Sequence, residues 1–176
     1  MVIRWTFAGI VGALALQRLV ELRLSRRNEN FILAQGGREH APGQYRVMKV
    51  LHVSWFLSML AEVFALKRPF RPLLSGLALA LFLLGQRLRY AAIHTLGWRW
   101  TVRVMTLPGF PPVEEGIYRY LRHPNYLGVI LEILAVPLLH NAYLTAILFS
   151  IANAGLLSWR IRTEEKALQE QNNYSG

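Results

Sequence analysis

The chain has no cysteine and has half as many acidic as basic residues. Without cysteine it can form neither a disulfide, nor a thiol nucleophile, nor a thiolate metal site. The sequence also has no GxGxxG or P-loop, no G-x-S-x-G elbow and no pair of histidines with zinc spacing. The common nucleotide-binding, serine-hydrolase and zinc-enzyme classes therefore have no support in the sequence, and we predict no metal.

Apolar residues are abundant, and the basic residues lie between the apolar blocks. The composition is 53% hydrophobic, with a mean hydropathy of +0.27, which exceeds ordinary globular usage. Twenty Lys and Arg stand against ten Asp and Glu, so the formal net charge is +10. In a soluble protein this excess would suggest nucleic acid. Basic loops between apolar blocks are instead typical of a membrane protein, so we predict membrane lipids as partners and no nucleic acid.

Five apolar segments predict an all-α, integral-membrane bundle of about five transmembrane helices. They are Trp5–Leu24, Val47–Leu66, Leu73–Ile93, Tyr126–His140 and Tyr143–Ile161. The first is interpreted as a retained span, because no small-residue cleavage site follows it and a run of arginines does. The fourth is shorter than the ~20 residues that a span needs. It also carries Glu132 and Pro137, so we expect it to pack inside the bundle.

The loops predict a domain organisation and an orientation. His140-Asn141 leaves almost no loop, so segments four and five should form a tight helical hairpin. The single domain 1–176 then divides into three spans with the first loop (1–93) and a second loop, the hairpin and a fraying polar tail from Gln169 (94–176). The two long loops carry most of the basic residues, which predicts that they and the C-terminus face the cytoplasm.

The segment Gly116–Gly128 combines charge, aromatic and turn residues directly before the fourth apolar segment. Pro124 disfavours helix at His123 and suits the first turn of the helix that follows. The His123 side chain would then lie at a helix N-terminus, where free N–H groups suit a carboxylate or phosphate. The alternative is structural, a capping histidine beside an arginine that extends to water.

Glu164 and Glu165 follow Arg160 and Arg162 at the end of the fifth segment. Two carboxylates there oppose the helix dipole, and an exposed charged cap is one interpretation. The predicted hairpin supports another, because it returns this end of the chain beside the segment Gly116–Gly128. A carboxylate in that place would suit ribose hydroxyls or the amino group of a cofactor.

Two ionisable residues inside the predicted spans are functional candidates because charge at membrane depth is costly. Glu132 is predicted to serve as a general base, with His123 as the other candidate for that role. The alternative for Glu132 is a protonated carboxyl or an ion pair with a neighbouring arginine. His52 is predicted to face the cytoplasmic site.

The segment Gly116–Gly128, the hairpin and the run Arg162–Glu165 resemble the isoprenylcysteine carboxyl methyltransferase family of integral-membrane, S-adenosylmethionine-dependent enzymes. The family shows G-x-Y-x-x-x-R-H-P-x-Y-x-G, a hairpin, and an arginine shortly before a Glu-Glu pair, all present here. Further runs resemble a bacterial branch associated with O-methylation of alkylpyrones and alkylresorcinols made by type III polyketide synthases. These runs are Gly36–Glu39, Leu51-His52, Leu88–Tyr90, Thr95–Gly97 and Arg99–Thr101. The usual His-Tyr of that branch appears here as Gln44-Tyr45.

The resemblance implies a cytoplasmic pocket for S-adenosylmethionine, with S-adenosylhomocysteine as product. The implied cofactor residues are Pro112, Val113, Tyr118, His123, Pro124, Asn125, Tyr126 and Glu165, with Glu164 as the alternative to Glu165. The family's substrate-side arginine corresponds to Arg162, with Arg160 as the alternative. The predicted catalytic residues are therefore Arg162, Glu132 and His123, and the predicted substrate contacts are Arg162, Arg160 and His52.

The expected function is methyl transfer to an oxygen of a lipophilic acceptor at the inner leaflet of a bacterial membrane. An alkylpyrone or alkylresorcinol is the expected acceptor, with a functional link to a type III polyketide synthase. A prenylcysteine-like carboxylate or another lipid is the alternative acceptor. A small membrane transporter or scaffold is the alternative class. In-line methyl transfer depends mainly on positioning.

Overall fold

The computed structural model describes residues 2–173, with side chains as far as residue 170. Five α-helices dominate the fold. They are α1 (Val2–Ala34), α2 (Gly43–Ala65), α3 (Pro72–Leu96), α4 (Pro124–Leu138) and α5 (Tyr143–Asn173). Each predicted apolar segment lies within one helix, apart from at most two residues at its C-terminal end, so the all-α bundle is confirmed. Two short 3₁₀ turns, Gly97–Arg99 and Gly116–Arg119, lie in the segment between α3 and α4.

The helices differ in their suitability for crossing a bilayer. Within the described residues, three stretches are long and apolar enough, and these are Gly43–Ala65, Pro72–Arg99 and Tyr143–Glu170. Large apolar side chains on them face outward, among them Leu57, Leu73 and Ile151. Helix α4 has only 15 residues and is largely buried, as its length and polar content predicted.

Helices α3 and α4 pack with their backbones in close contact, at two glycines. A Cβ at Gly85 would lie 3.0 Å from the Gly128 carbonyl oxygen, and one at Gly128 would lie 2.8 Å from the Gly85 carbonyl oxygen. Small residues at such a crossing let membrane helices approach closely. This contact fixes α4 at the centre of the bundle.

The hairpin between α4 and α5 has the short turn that the sequence predicted. The chain reverses between Leu138 and Tyr143, with Asn141 in the left-handed region at φ 57°. The Glu62 carboxylate of α2 accepts hydrogen bonds from the backbone N–H of Thr145 (2.7 Å) and from its hydroxyl (2.8 Å). Because the first N–H groups of a helix have no intrahelical partner, Glu62 stabilises the start of α5 from a neighbouring helix.

A short antiparallel ribbon was not predicted. Strand β1 (Arg38–His40) pairs with β2 (Val104–Thr106), with Arg38 opposite Thr106. The ribbon joins the two long loops. Arg103 reinforces this junction, because its guanidinium lies 3.3 Å from Glu29 of α1 and 2.6 Å from Glu39 of β1.

Two helices extend beyond their predicted ends. Helix α1 continues past Leu24 to Ala34, and α5 continues through Gln169 to Asn173. The prediction of a fraying tail from Gln169 is therefore wrong for residues 169–173, and residues 174–176 lie outside the described part of the chain. Both long loops, the start of α4 and the end of α5 meet at one end of the bundle, which we call the site end.

Candidate active site

A cavity of about 1440 Å³ opens at the site end and reaches between the helices. Pockets for one drug-sized ligand usually measure ~300–1,000 Å³, so this cavity has room for two molecules. We call its polar part the outer arm, which is lined by Pro112, Val113, Tyr118, His123, Tyr126, Glu164 and Glu165. We call its apolar part the inner arm, which is lined by Leu19, Val53, Phe56, Val129, Leu156 and Leu157.

The outer arm joins the start of α4 to the end of α5. The Tyr126 hydroxyl donates a hydrogen bond to Glu164 Oε2 at 2.5 Å. His123 Nε2 lies 3.4 Å from Glu165 Oε1, and since a carboxylate only accepts, the imidazole N–H is the donor. The rings of His123 and Tyr126 stack with centroids 5.5 Å apart. The structure thus brings together the two regions that the hairpin was predicted to unite.

Tyr118 forms the facing wall of the outer arm, in the turn Gly116–Arg119. Burial, and secondarily the Glu164 carboxylate, raises the pKa of the Tyr118 hydroxyl above its usual range. Like an ordinary tyrosine, it is protonated at neutral pH and can donate a hydrogen bond. Gly116 has φ 53°, and a Cβ there would lie 2.6 Å from the Thr95 hydroxyl, so this turn requires glycine.

The predicted loop residues Pro112 and Val113 line the same cavity. Arg99 holds this loop in place, because its guanidinium donates to the Pro111 carbonyl oxygen and lies 5.9 Å from the Phe110 ring centroid. The loop is thereby fixed against the end of α3.

Pro124 and Asn125 have different positions although they are adjacent. Pro124 is the first residue of α4 and is buried, and it does not line the cavity. Its role is to start the helix, so the prediction that it contacts the cofactor is not supported. Asn125 does line the cavity, and its Oδ1 accepts a hydrogen bond of 3.3 Å from Arg89.

Arg160, not Arg162, faces the cavity. Arg162 is exposed and does not line the cavity, whereas Arg160 is 4% exposed and does. Arg160 donates to the Val102 carbonyl oxygen at 2.8 Å, and its guanidinium lies 5.8 Å from the Tyr126 ring centroid. The physical reason is helical phase, since residues two positions apart point to nearly opposite sides of an α-helix. Of the two predicted arginines, the structure therefore favours the alternative, Arg160, as the one that a ligand in the cavity could reach.

Glu132 does not lie where a general base would need to lie. It is 3% exposed, does not line the cavity, and forms ion pairs with Arg18 of α1 and Arg89 of α3. Glu21 completes this network through its own pairs with both arginines. A carboxylate held between two guanidinium groups is not free to take a proton from a ligand. The alternative interpretation of an ion pair with a neighbouring arginine is the correct one.

This network contains residues that sequence reasoning missed as site residues. Arg18, Glu21 and Arg89 all line the cavity. The available signal was that three separate apolar segments each carry a charge, and charges at membrane depth pair with one another.

His52 lines the cavity, as predicted. Its Nδ1–H donates to the Met48 carbonyl oxygen at 2.9 Å, which leaves Nε2 as the acceptor nitrogen. Arg18, Arg89 and Arg160 line the same cavity as His52.

The carboxylates and aromatic rings of the outer arm fit the chemical groups of S-adenosylmethionine. That cofactor carries an amino group, ribose hydroxyls and a positively charged sulfonium. The carboxylates of Glu164 and Glu165 can accept from the first two, and the rings of Tyr118 and Tyr126 suit a cation. Among the residues that the structure describes, no group of three or more His, Cys, Asp or Glu is arranged to hold a metal ion.

Comparison with known proteins decides the family. The sequence profile of the isoprenylcysteine carboxyl methyltransferase (ICMT) family matches residues 78–170, which is more than half of the chain. The chain belongs to the ICMT family. It is thus a member of a methyltransferase family, and its apolar helices agree with the membrane-embedded fold of that family.

Relatives extend the likeness over nearly the whole chain. The chain is 42% identical to the uncharacterized protein YpbQ of Bacillus subtilis over 92% of its own length and 95% of that protein. It is 30% identical to a protein-S-isoprenylcysteine O-methyltransferase of Saccharomyces cerevisiae, over 84% of its own length and 62% of that enzyme.

A solved structure also supports membership of the ICMT family. A eukaryotic intramembrane Ras methyltransferase ICMT aligns with a TM-score of 0.55 and 26% identity, over 78% of this chain and 50% of that one. The chain therefore spans about half to two thirds of these two eukaryotic enzymes. Its ICMT-type fold and its long apolar helices make it an integral membrane protein.

The departure at Gln44 from the His-Tyr of the bacterial branch has a structural explanation. Gln44 is fully buried, and its amide nitrogen donates to the Thr163 hydroxyl at 2.7 Å. It does not line the cavity. This residue ties α2 to α5 and has no contact with the space where a substrate would lie.

Proposed function

We propose that this ICMT-family protein transfers a methyl group from S-adenosylmethionine to an oxygen of a lipophilic acceptor. The observation that carries the proposal is a single cavity that is lined by polar side chains such as Glu164 and Glu165, by apolar side chains such as Phe56 and Leu157, and by the buried Arg160. A polar cofactor and a membrane lipid can each enter a part of such a cavity that matches their chemistry. The site end faces the cytoplasm in this proposal, in the inner membrane of a bacterium, as the basic loops indicate.

The outer arm would hold the cofactor. Glu164 and Glu165 would accept from its amino group or ribose, and Tyr118 would donate through a hydroxyl that stays protonated. When bound, the cofactor supplies an electrophilic methyl carbon on a sulfonium sulfur. The protein's contribution is orientation, which can lower a barrier by ~7–11 kcal/mol when two reactants are held in line.

Arg160 would hold the oxyanion of the acceptor. Arg18 and Arg89 are neutralised by Glu21 and Glu132, but Arg160 has no carboxylate partner within 4.0 Å among the described residues. Its Nε is buried and has no hydrogen-bond partner among them either. A buried cation without a counter-charge is costly, so an anion bound in the cavity beside Arg160 would gain affinity.

A neutral acceptor would need to lose its proton. His52 offers Nε2 as the acceptor atom, because its Nδ1–H is held by the Met48 carbonyl oxygen. The hydroxyl proton of the acceptor would move to this nitrogen while Arg160 stabilises the oxygen left negative. An acceptor that is already a carboxylate or an acidic enol needs no such step.

We propose an alkylpyrone or alkylresorcinol as the acceptor, formed by a type III polyketide synthase. Its ring oxygen would lie at Arg160 and its alkyl chain in the inner arm, among Val53, Phe56 and Leu157. The resemblance to the bacterial branch supports this choice, and Gln44, where the chain departs from that branch, does not line the cavity. A prenylcysteine carboxylate is the second candidate, because a yeast relative is a protein-S-isoprenylcysteine O-methyltransferase.

The test is a methyl-transfer assay with purified protein in liposomes and S-adenosylmethionine labelled in the methyl group. The acceptors are an alkylresorcinol, an alkylpyrone and a farnesylated cysteine, each offered alone. We expect label in the first two and little in the third. Label in farnesylcysteine alone would select the second candidate, and no transfer to any acceptor by a protein that binds S-adenosylhomocysteine would refute the proposed acceptor class.

A further inference from the structure

The inner arm contains a polar side chain that has no hydrogen-bond partner. Asn153 of α5 is 2% exposed and lines the cavity. Its Oδ1 is buried and accepts no hydrogen bond from any described residue. Apolar side chains line the same cavity, among them Phe56 from α2, Val129 from α4 and Leu157 from α5.

Asn153 differs from other buried amides in the extent to which it lacks partners. Asn28 donates to the Trp100 carbonyl oxygen at 2.7 Å, and Gln44 donates through its amide nitrogen to Thr163 although its own Oε1 has no partner, whereas no hydrogen bond joins the Asn153 side chain to any described residue. Asparagine in a membrane helix ordinarily bonds across to another helix, and a buried polar group without a partner is destabilising. A polar atom of a bound ligand would satisfy the Asn153 amide and explain why an apolar residue does not occupy this position.

The position of Asn153 indicates which ligand atom that is. Asn153 and Arg160 are seven residues apart, which is about two helical turns and ~10.5 Å along the axis of α5, on the same face. The two side chains extend across part of that distance. A ring with two oxygen substituents can therefore present one oxygen to Arg160 and the other to Asn153.

We propose that Asn153 is a specificity-determining residue whose amide hydrogen-bonds the second, non-reacting oxygen of the acceptor ring. The amide can donate to a pyrone carbonyl and can accept from a resorcinol hydroxyl. It thereby selects acceptors with two ring oxygens over acceptors with one. This inference rests on the proposed methyltransferase function and adds the chemical class of acceptor that the inner arm recognises.

The experiment compares two acceptors with alkyl chains of equal length, a 5-alkylresorcinol and a 3-alkylphenol. We expect wild-type kcat/KM for the resorcinol to exceed that for the phenol by roughly tenfold or more, beyond the factor of two for its two equivalent hydroxyls. Sites built to hydrogen-bond a substrate hydroxyl discriminate strongly against analogues that lack it. Asn153→Leu should lower the resorcinol value to the level of the phenol and change the phenol value by less than about threefold.

Two controls separate specificity from folding. S-adenosylhomocysteine affinity of Asn153→Leu should match wild type, and Asn153→Ala, which adds no volume, should lose the preference in the same way. Ser158→Ala is the matched neutral variant, because Ser158 is exposed and its hydroxyl donates to the Ala154 carbonyl oxygen of its own helix.

Three outcomes would overturn the inference. The preference could persist in both Asn153 variants, or both acceptors could lose activity equally, and either result would leave the proposed methyltransferase function standing. A wild-type protein that binds S-adenosylhomocysteine yet methylates neither acceptor would overturn the acceptor class and the role of Asn153 together.

Discussion

Replacing Arg160 by methionine tests the oxyanion site directly, and Arg162 provides a matched control two residues away. Both arginines lie on α5, but only Arg160 is buried in the cavity wall. Truncating one partner of a buried, hydrogen-bonded charge pair costs ~2–5 kcal/mol. At ~1.4 kcal/mol for each tenfold, Arg160→Met should lower kcat/KM by at least about 30-fold. Arg162→Met should stay within about twofold of wild type, as exposed substitutions usually do.

The assay measures methyl transfer in liposomes, with calorimetric titration of S-adenosylhomocysteine on the same samples. Arg160→Met should retain its affinity for this nucleotide because the lost group faces the acceptor. Arg160→Lys should fall between methionine and wild type, since lysine keeps the charge and loses the planar fork. Equal activity of Arg160→Met and wild type would refute the reasoning. A loss of nucleotide affinity in Arg160→Met would show that this guanidinium serves the cofactor carboxylate instead.

Two further predictions concern the packing that supports the cavity. Glu132→Gln should lower the unfolding temperature in detergent by several degrees, because removing one partner of a buried ion pair costs ~3–5 kcal/mol. An unchanged melting curve would contradict the buried network. Gly128→Ala should destabilise the protein, since the added Cβ would lie 2.8 Å from the Gly85 carbonyl oxygen. Gly155→Ala is the control and should not destabilise it, because no atom lies within 4 Å of the added Cβ. Equal melting temperatures for the two variants would count against the close α3–α4 contact.

The sequence predicted the bundle and the meeting of α4 with α5 because both depend on local patterns. Apolar runs of helical length define the spans, and a turn as short as His140–Ala142 forces the next helix to return antiparallel. The pairing of Tyr126 with Glu164 follows from that return. His123 lies at the start of α4 because Pro124 begins a helix easily.

Other features depend on contacts that no local pattern records. The ribbon joins three residues to three others more than sixty positions away, which is too short for an alternating signal. Glu132 meets Arg18 across 114 positions, so its role as an ion-pair partner depends on how three helices pack. The choice of Arg160 over Arg162, in contrast, could have been predicted from the sequence. Arg160 and Glu164 are four residues apart and share one helical face with Asn153 and Leu157.

The central claim is that the outer arm binds a sulfonium nucleotide through the end of α5 and the start of α4. Isothermal calorimetry of purified protein with S-adenosylhomocysteine tests this most directly, with Tyr126→Phe and Glu164→Gln beside wild type. We expect wild type to bind and both variants to bind roughly tenfold more weakly, as loss of a charge-assisted hydrogen bond implies. Absence of binding by folded wild-type protein, or equal affinity in all three, would contradict the account.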